Sequence, residues 1–195
     1  AWLVPGAAME LAGVMAFVGA LRVLEPRDRP REYMPGTYVR YEWFLRASYA
    51  WLLVGSGLMA LQTVNAAWGL TLFPALTAAP ALHVLALGFV SMMIMGMAAR
   101  MLPLFEGAQL PHHGLMDGAF LALNSSVALR LAFGLVPGRA GSTGLGVSGV
   151  LGLLALALFA WVVWRVLRPA AQEAYRRTAV EFVSVRLRQQ QSREE

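Results

Sequence analysis

Three polar side chains that interrupt long apolar stretches have the chemistry to hold a cofactor or to pair with each other. His83 is the single histidine inside such a stretch, and Glu10 and Arg130 interrupt two others. An ionisable residue inside a membrane is costly and usually marks a functional site. A neutral imidazole is the commonest metal ligand in proteins, and a guanidinium binds carboxylates well.

Two interpretations of these residues stay open on the sequence alone. In the first, His83 is an axial ligand of a haem iron and Arg130 neutralises a haem propionate. Gly88 and Gly96 would then let a flat macrocycle, or a neighbouring helix, approach closely. In the second, Glu10 and Arg130 form an intramembrane ion pair, and His83 only forms a hydrogen bond near the membrane surface.

A six-coordinate haem needs a second axial ligand, and no second histidine lies within reach of His83. His112 and His113 belong to the opposite end of the same span, roughly 28 Å away at 1.5 Å per residue, so they cannot share an iron with it. We therefore expect the second ligand from a methionine, from a histidine upstream of the chain, or from a second chain. A two-fold homodimer would offer His83 from both protomers.

Methionines are concentrated in the apolar stretch that begins near His83, and their thioethers could bind copper(I). The five are Met92, Met93, Met95, Met97 and Met101. On a helix, only the pairs Met93–Met97 and Met97–Met101 share a face. We therefore expect these side chains to fill gaps in the core, and copper has no further support.

The composition places the chain in a lipid bilayer. Its 195 residues are 58% hydrophobic and only 14% charged, whereas soluble domains carry about 25% charged residues. The absence of cysteine excludes disulfides, iron–sulfur clusters and a cysteine nucleophile. All sixteen basic residues are arginines in a chain of net charge +5. Because they lie mostly between apolar stretches, membrane topology explains them better than nucleic-acid binding does.

We predict an all-α integral membrane protein with a bundle of five transmembrane helices. The predicted spans are residues 2–24, 44–66, 80–102, 116–136 and 147–167. Each is about long enough to cross a bilayer, where only helices or closed barrels satisfy the backbone. The bundle comprises residues 1–168, and residues 169–195 form an arginine-rich tail with a short surface helix. Pro103 is expected to lie just beyond the third span, and a Gly/Ser-rich link is expected over residues 137–146.

Arginine positions predict the orientation of the bundle. With five spans, fourteen of the sixteen arginines fall on one side. The positive-inside rule puts that side and the tail in the cytoplasm, and the N-terminus outside, in a bacterial inner membrane. His83 then lies near the outer surface, with Arg130 and Glu10 roughly 10 and 12 Å below it. All three could meet if their helices are neighbours.

Several segments of the chain resemble a known family. They are Arg46-Ala-Ser-Tyr-Ala-Trp-Leu-Leu, the run from His83 to Phe89, the run from Met93 to Gly107, and the run from Asn124 to Arg130. Together they resemble the NnrS family of bacterial membrane proteins, which is linked to the nitric oxide response and denitrification and described as containing haem and copper. The third span is also similar to ligand helices in the catalytic subunit of haem-copper oxidases. The resemblance covers about residues 40–132.

The resemblance implies that His83 is a haem ligand and Arg130 a propionate partner. NnrS proteins have about twice as many spans and several membrane histidines, so five spans would correspond to a C-terminal part or to a reduced relative. The copper centre of an oxidase needs further histidines that this chain lacks. Reduction of oxygen or nitric oxide by this chain alone is therefore not expected.

The sequence thus favours an NnrS-like membrane protein that binds haem b. Its expected role is an electron-transfer or gas-responsive subunit that works with partner membrane proteins or as a homodimer, and not an enzyme on its own. The alternative is a cofactor-free accessory subunit that packs against a larger respiratory or photosynthetic complex.

Overall fold

The computed structural model describes residues 3–25, 38–69, 78–110, 112–136 and 138–168, together with positions 173, 176, 177 and 180. All regular structure in this part of the chain is helical, and five helices are long and apolar enough to cross a membrane. We label them α1 (Leu3–Leu21), α2 (Tyr41–Trp68), α3 (Ala79–Glu106), α4 (His113–Gly134) and α5 (Arg139–Val166). The predicted all-α, multi-pass architecture is confirmed. The tail helix lies almost entirely outside the described residues, and the orientation in the membrane stays a prediction.

Helices that follow one another in the chain run in opposite directions. Residues from the starts of α2 and α4 and from the end of α3 meet at one end of the bundle, through contacts of Tyr38 with Asp117 and of Tyr41 with Arg100. We call this the arginine end. The opposite end, where α3 begins and α4 finishes, we call the His83 end.

The α3 helix changes its hydrogen-bond pattern along its length. The helical structure begins one residue before this span, and it is α-helical over Ala78–His83, π-helical over Val84–Ser91 and α-helical again over Met92–Glu106. The Ser91 hydroxyl donates a hydrogen bond to the carbonyl of Ala86, five residues earlier, at 3.0 Å. π-helical turns are rare and occur frequently at functional sites. Here the π-helical segment directly follows His83, which the sequence did not predict.

The third span continues past Pro103, so the predicted boundary there is wrong. Pro103 is fully buried inside the last turns, and the helix ends at Glu106. Gly107 follows with a φ of 56°, a left-handed conformation that glycine adopts at little steric cost and that commonly ends helices. The amide of Ala108 then donates to the Pro103 carbonyl at 2.9 Å. The end of the helix depends on this glycine. Proline has no N–H to donate within the helix, and the close packing of Pro103 offsets the hydrogen bond that is missing there.

The Gly/Ser-rich link predicted over residues 137–146 is also wrong for most of its length, because α5 begins at Arg139. The small residues pack α5 closely against α4. A Cβ on Gly144 would lie 2.1 Å from an aromatic ring of α4, and the Ser126 hydroxyl donates to the Ser148 carbonyl at 2.7 Å. Close packing of this kind outweighs the low helix propensity of glycine.

The core lies mainly between α2, α3 and α4. Met92 and Met95 of α3 are fully buried in it beside Phe44 of α2 and Leu123 of α4, which confirms packing as the role of these two methionines. The α1 helix packs chiefly against α2, where the ring of Phe17 lies 6.4 Å from that of Tyr49.

Candidate functional site

His83 lies on the surface of the bundle, near the start of α3. Its Nδ1 is 2.7 Å from the carbonyl oxygen of Ala79, one turn earlier. A carbonyl can only accept a hydrogen bond, so Nδ1 carries the proton, and Nε2 of the neutral ring keeps its lone pair. Histidines that bind metals are commonly held in this way, with the second ring nitrogen donating to a backbone carbonyl.

Arg130 lies on α4 at the same level of the bundle as His83. The two helices meet where Pro80 packs near Gly134, on which a Cβ would lie 3.4 Å from the proline ring. His83 follows Pro80 by three residues and Arg130 precedes Gly134 by four, so both lie about 5 Å from this contact along the bundle axis. The two helices therefore hold an imidazole and a guanidinium at one depth.

The Nε of Arg130 is buried and has no hydrogen-bond partner. A buried donor without an acceptor costs about 1–3 kcal/mol. Glu10 does not supply the acceptor, because it is exposed on α1 and no ion pair among the described residues joins it to Arg130. The structure thus brings His83 and Arg130 to one level but does not bring Glu10 to them.

Gly88 and Gly96 admit a neighbouring helix and leave no room there for a macrocycle. A Cβ on Gly88 would lie 2.7 Å from the Trp51 side chain, and one on Gly96 would lie 2.7 Å from Phe44. Trp51 is fixed by a 3.0 Å hydrogen bond from its Nε1 to the amide oxygen of Asn124 on α4. A cofactor bound to His83 would therefore not occupy the contacts that Gly88 and Gly96 make with α2.

No cluster of the usual metal-binding side chains is present among the described residues. They contain no group of three or more His, Cys, Asp or Glu side chains that could hold a metal ion. The methionines of α3 point in different directions, since Met92 and Met95 are buried and Met97 is 43% exposed. The thioethers of Met92 and Met95 are therefore turned away from that of Met97.

A polar network at the arginine end was not predicted from the sequence. The buried Tyr38 donates a hydrogen bond to one carboxylate oxygen of Asp117 at 2.5 Å, and Arg40 donates to the other at 2.7 Å. Arg100 donates to the Tyr41 hydroxyl, and its guanidinium lies 4.6 Å from the centre of that ring. The sequence feature that could have indicated this network is Asp117, an acidic residue at the very start of an apolar span. Its partners lie almost eighty residues away in the chain.

Burial, together with the hydrogen bond to the Asp117 carboxylate, raises the pKa of the Tyr38 phenol well above its usual range. The neutral phenol is thus favoured in the folded state, and this stabilisation is fully present below the ordinary pKa of about 10. We expect it to be lost as the pH rises above about 10, by up to about 1.4 kcal/mol per pH unit. Equilibrium unfolding in detergent between neutral and alkaline pH measures this loss.

The matched variant is Tyr38→Phe, which keeps the ring and removes the titrating group. Its alkaline loss of stability should be smaller than that of the unmodified protein, while the contribution of the other tyrosines cancels in the comparison. Identical pH profiles for the two proteins would contradict the assignment.

Comparison with known proteins adds one finding. The family model described as NnrS protein matches residues 1–170, a range that includes all five helices with His83 and Arg130. No curated protein and no solved structure matches the chain. The similarity of the third span to haem-copper oxidases therefore stays a prediction.

Proposed function

Because the chain belongs to the NnrS family, we propose that it is a haem-binding membrane subunit in which His83 is an axial ligand. The observation that carries this proposal is the hydrogen bond from His83 Nδ1 to the Ala79 carbonyl. It holds the ring on an apolar helix and leaves the Nε2 lone pair of the neutral ring free to bind a metal. A bound haem b would supply one-electron transfer or gas binding.

Arg130 fits the second requirement of a haem site. A haem carries two propionate groups, and inside a membrane their charge needs a fixed cation. The buried Nε of Arg130 lacks an acceptor and lies at the level of His83. A propionate would satisfy this donor through a charge-assisted hydrogen bond, which is among the stronger interactions of a guanidinium.

A partner chain supplies the rest of the site in this proposal. His113 lies beside Tyr38, with the ring centres 5.8 Å apart, and therefore at the arginine end. His83 is more than twenty residues from the end of α3, which corresponds to roughly 30 Å or more. The second axial ligand would come from another membrane protein or from His83 of a second copy. This arrangement suits an electron-transfer or gas-responsive subunit in a bacterial inner membrane.

The His83→Ala variant tests this proposal. In reduced-minus-oxidised visible spectra of protein purified in detergent, we expect sharp haem bands for the unmodified chain. For the variant we expect haem occupancy to fall at least about tenfold, because loss of even an outer-shell partner of a metal ligand typically costs about 10–100-fold in affinity, and here the ligand itself is removed. His112→Asn is the matched control, since asparagine tolerates the φ of 56° at that position.

Two further measurements separate a ligand from a structural histidine. Added imidazole should restore haem bands to a His83→Gly variant, which a purely structural role would not allow. Arg130→Gln should keep the haem but shift its reduction potential, because a charge near the cofactor is removed. Absence of haem from the unmodified chain would overturn the proposal and favour the cofactor-free accessory subunit.

A further inference from the structure

An apolar groove lies between α1 and α2, at the edge of the bundle. It has a volume of about 380 Å³, and its apolar wall includes Leu11, Met15, Val18, Gly19 and Leu53. A Cβ on Gly19 would meet no atom within 4 Å, so this residue faces open space on the wall of the groove. The volume falls within the range of roughly 300–1,000 Å³ that is typical of ligand sites. We call this space the α1–α2 groove.

Two guanidinium groups are present where the α1–α2 groove reaches the arginine end. Arg22 and Glu25 line it, and Arg46 of α2 donates a hydrogen bond to the backbone carbonyl of Glu25 at 3.2 Å. The Nε of Arg22 is 3.9 Å from the Glu25 carboxylate, and these side chains are 77% and 62% exposed. Such an exposed pair is weak. Arg22 and Arg46 thus both lie beside Glu25 at this end of the groove.

We propose that the α1–α2 groove binds an acyl chain of an anionic phospholipid, with the lipid phosphate held by Arg22 and Arg46. Both helices are membrane spans, so the apolar wall is reached from the hydrocarbon region of the bilayer. From Leu11 to Arg22 the groove extends along eleven residues, or about 16 Å. A guanidinium binds phosphate oxygens in a bidentate fashion, and basic pockets between transmembrane helices bind anionic lipid headgroups. An uncharged quinone has no anionic group that either arginine could bind. This lipid site is independent of the proposed haem site.

Native mass spectrometry of the full chain in detergent, with phosphatidylglycerol or phosphatidylcholine added, tests the proposal. Each arginine near the headgroup contributes about 1 kcal/mol, so we expect phosphatidylglycerol to be retained at least about fivefold more strongly than phosphatidylcholine. Gly19→Leu fills the groove and should abolish this retention. Gly13→Leu is the matched control, because it adds the same side chain to α1 where nothing lies within 4 Å and outside the groove.

A third variant separates the headgroup from the acyl chain. Arg22→Asn, chosen because Arg22 has a φ of 50°, should reduce retention of phosphatidylglycerol more than retention of phosphatidylcholine, whose choline cation offsets the attraction of its phosphate for the arginine. Should the Gly19→Leu variant unfold at a lower temperature than the Gly13→Leu variant, the Leu53→Trp variant is used in place of Gly19→Leu. Leu53→Trp fills the same groove from α2. Equal retention of the two lipids, retention unaffected by either filling variant, or displacement of the lipid by an isoprenoid quinone would each overturn the proposal.

Discussion

Gly88→Leu is expected to destabilise the folded bundle by about 3 kcal/mol or more, because the added side chain overfills the contact between α2 and α3. The first added carbon alone would lie 2.7 Å from Trp51. Trp51 cannot withdraw without losing its hydrogen bond to Asn124, which is worth about 1 kcal/mol. Thermal unfolding followed by circular dichroism, and the yield of monodisperse protein after detergent extraction, measure the effect.

Gly57→Leu is the control for this experiment, since it makes the same change on α2 at a position where a Cβ meets nothing within 4 Å. We expect it to unfold within a few degrees of the unmodified protein. Equal stability of the Gly88→Leu and Gly57→Leu variants would show that α2 and α3 do not pack through Gly88.

The second large effect is expected from Asp117→Ala, which should cost about 2–3 kcal/mol. Tyr38 is 2% exposed, and its hydroxyl would lose the carboxylate that accepts its hydrogen bond. A hydrogen bond to a charged group is worth about 1.5–3 kcal/mol, and a buried donor left unpaired adds to the loss. The pair with Arg40 contributes little, because that side chain is 62% exposed. Equilibrium unfolding in mixed detergent at neutral pH measures the difference.

A double-mutant cycle isolates the Tyr38–Asp117 contact from the rest of the network. Once Tyr38→Phe is present, Asp117→Ala should cost at least about 1 kcal/mol less than it does alone. When Arg40→Gln takes the place of Tyr38→Phe in this cycle, its coupling energy with Asp117→Ala should be near zero. The reverse ranking of these two coupling energies would mean that the ion pair, and not the phenol, stabilises the arginine end.

The candidate site was predicted only in part. The apolar stretch around His83 identified the imidazole, and counting residues along the spans placed Arg130 in the same half of the bundle. The same count also placed Glu10 at a similar depth and so included it in the predicted site, because depth along a span says nothing about which helices are neighbours. Packing of α1 chiefly against α2 leaves Glu10 exposed on α1. The hydrogen bond to Ala79, which orients the His83 ring, depends on a rotamer that no sequence pattern specifies.

The presence of five apolar helices long enough to cross a membrane could be predicted from the sequence alone. Apolar length and the absence of charge are local properties, and a bilayer admits helices of about twenty such residues whatever their neighbours are. The way in which the helix surfaces are used depends on the packing of the bundle. This packing turned the predicted link before α5 into helix and filled the glycine faces of α3 with Trp51 and Phe44. It also joined Tyr38 to Asp117, because such contacts depend on which helices meet, and residues distant in the chain decide that.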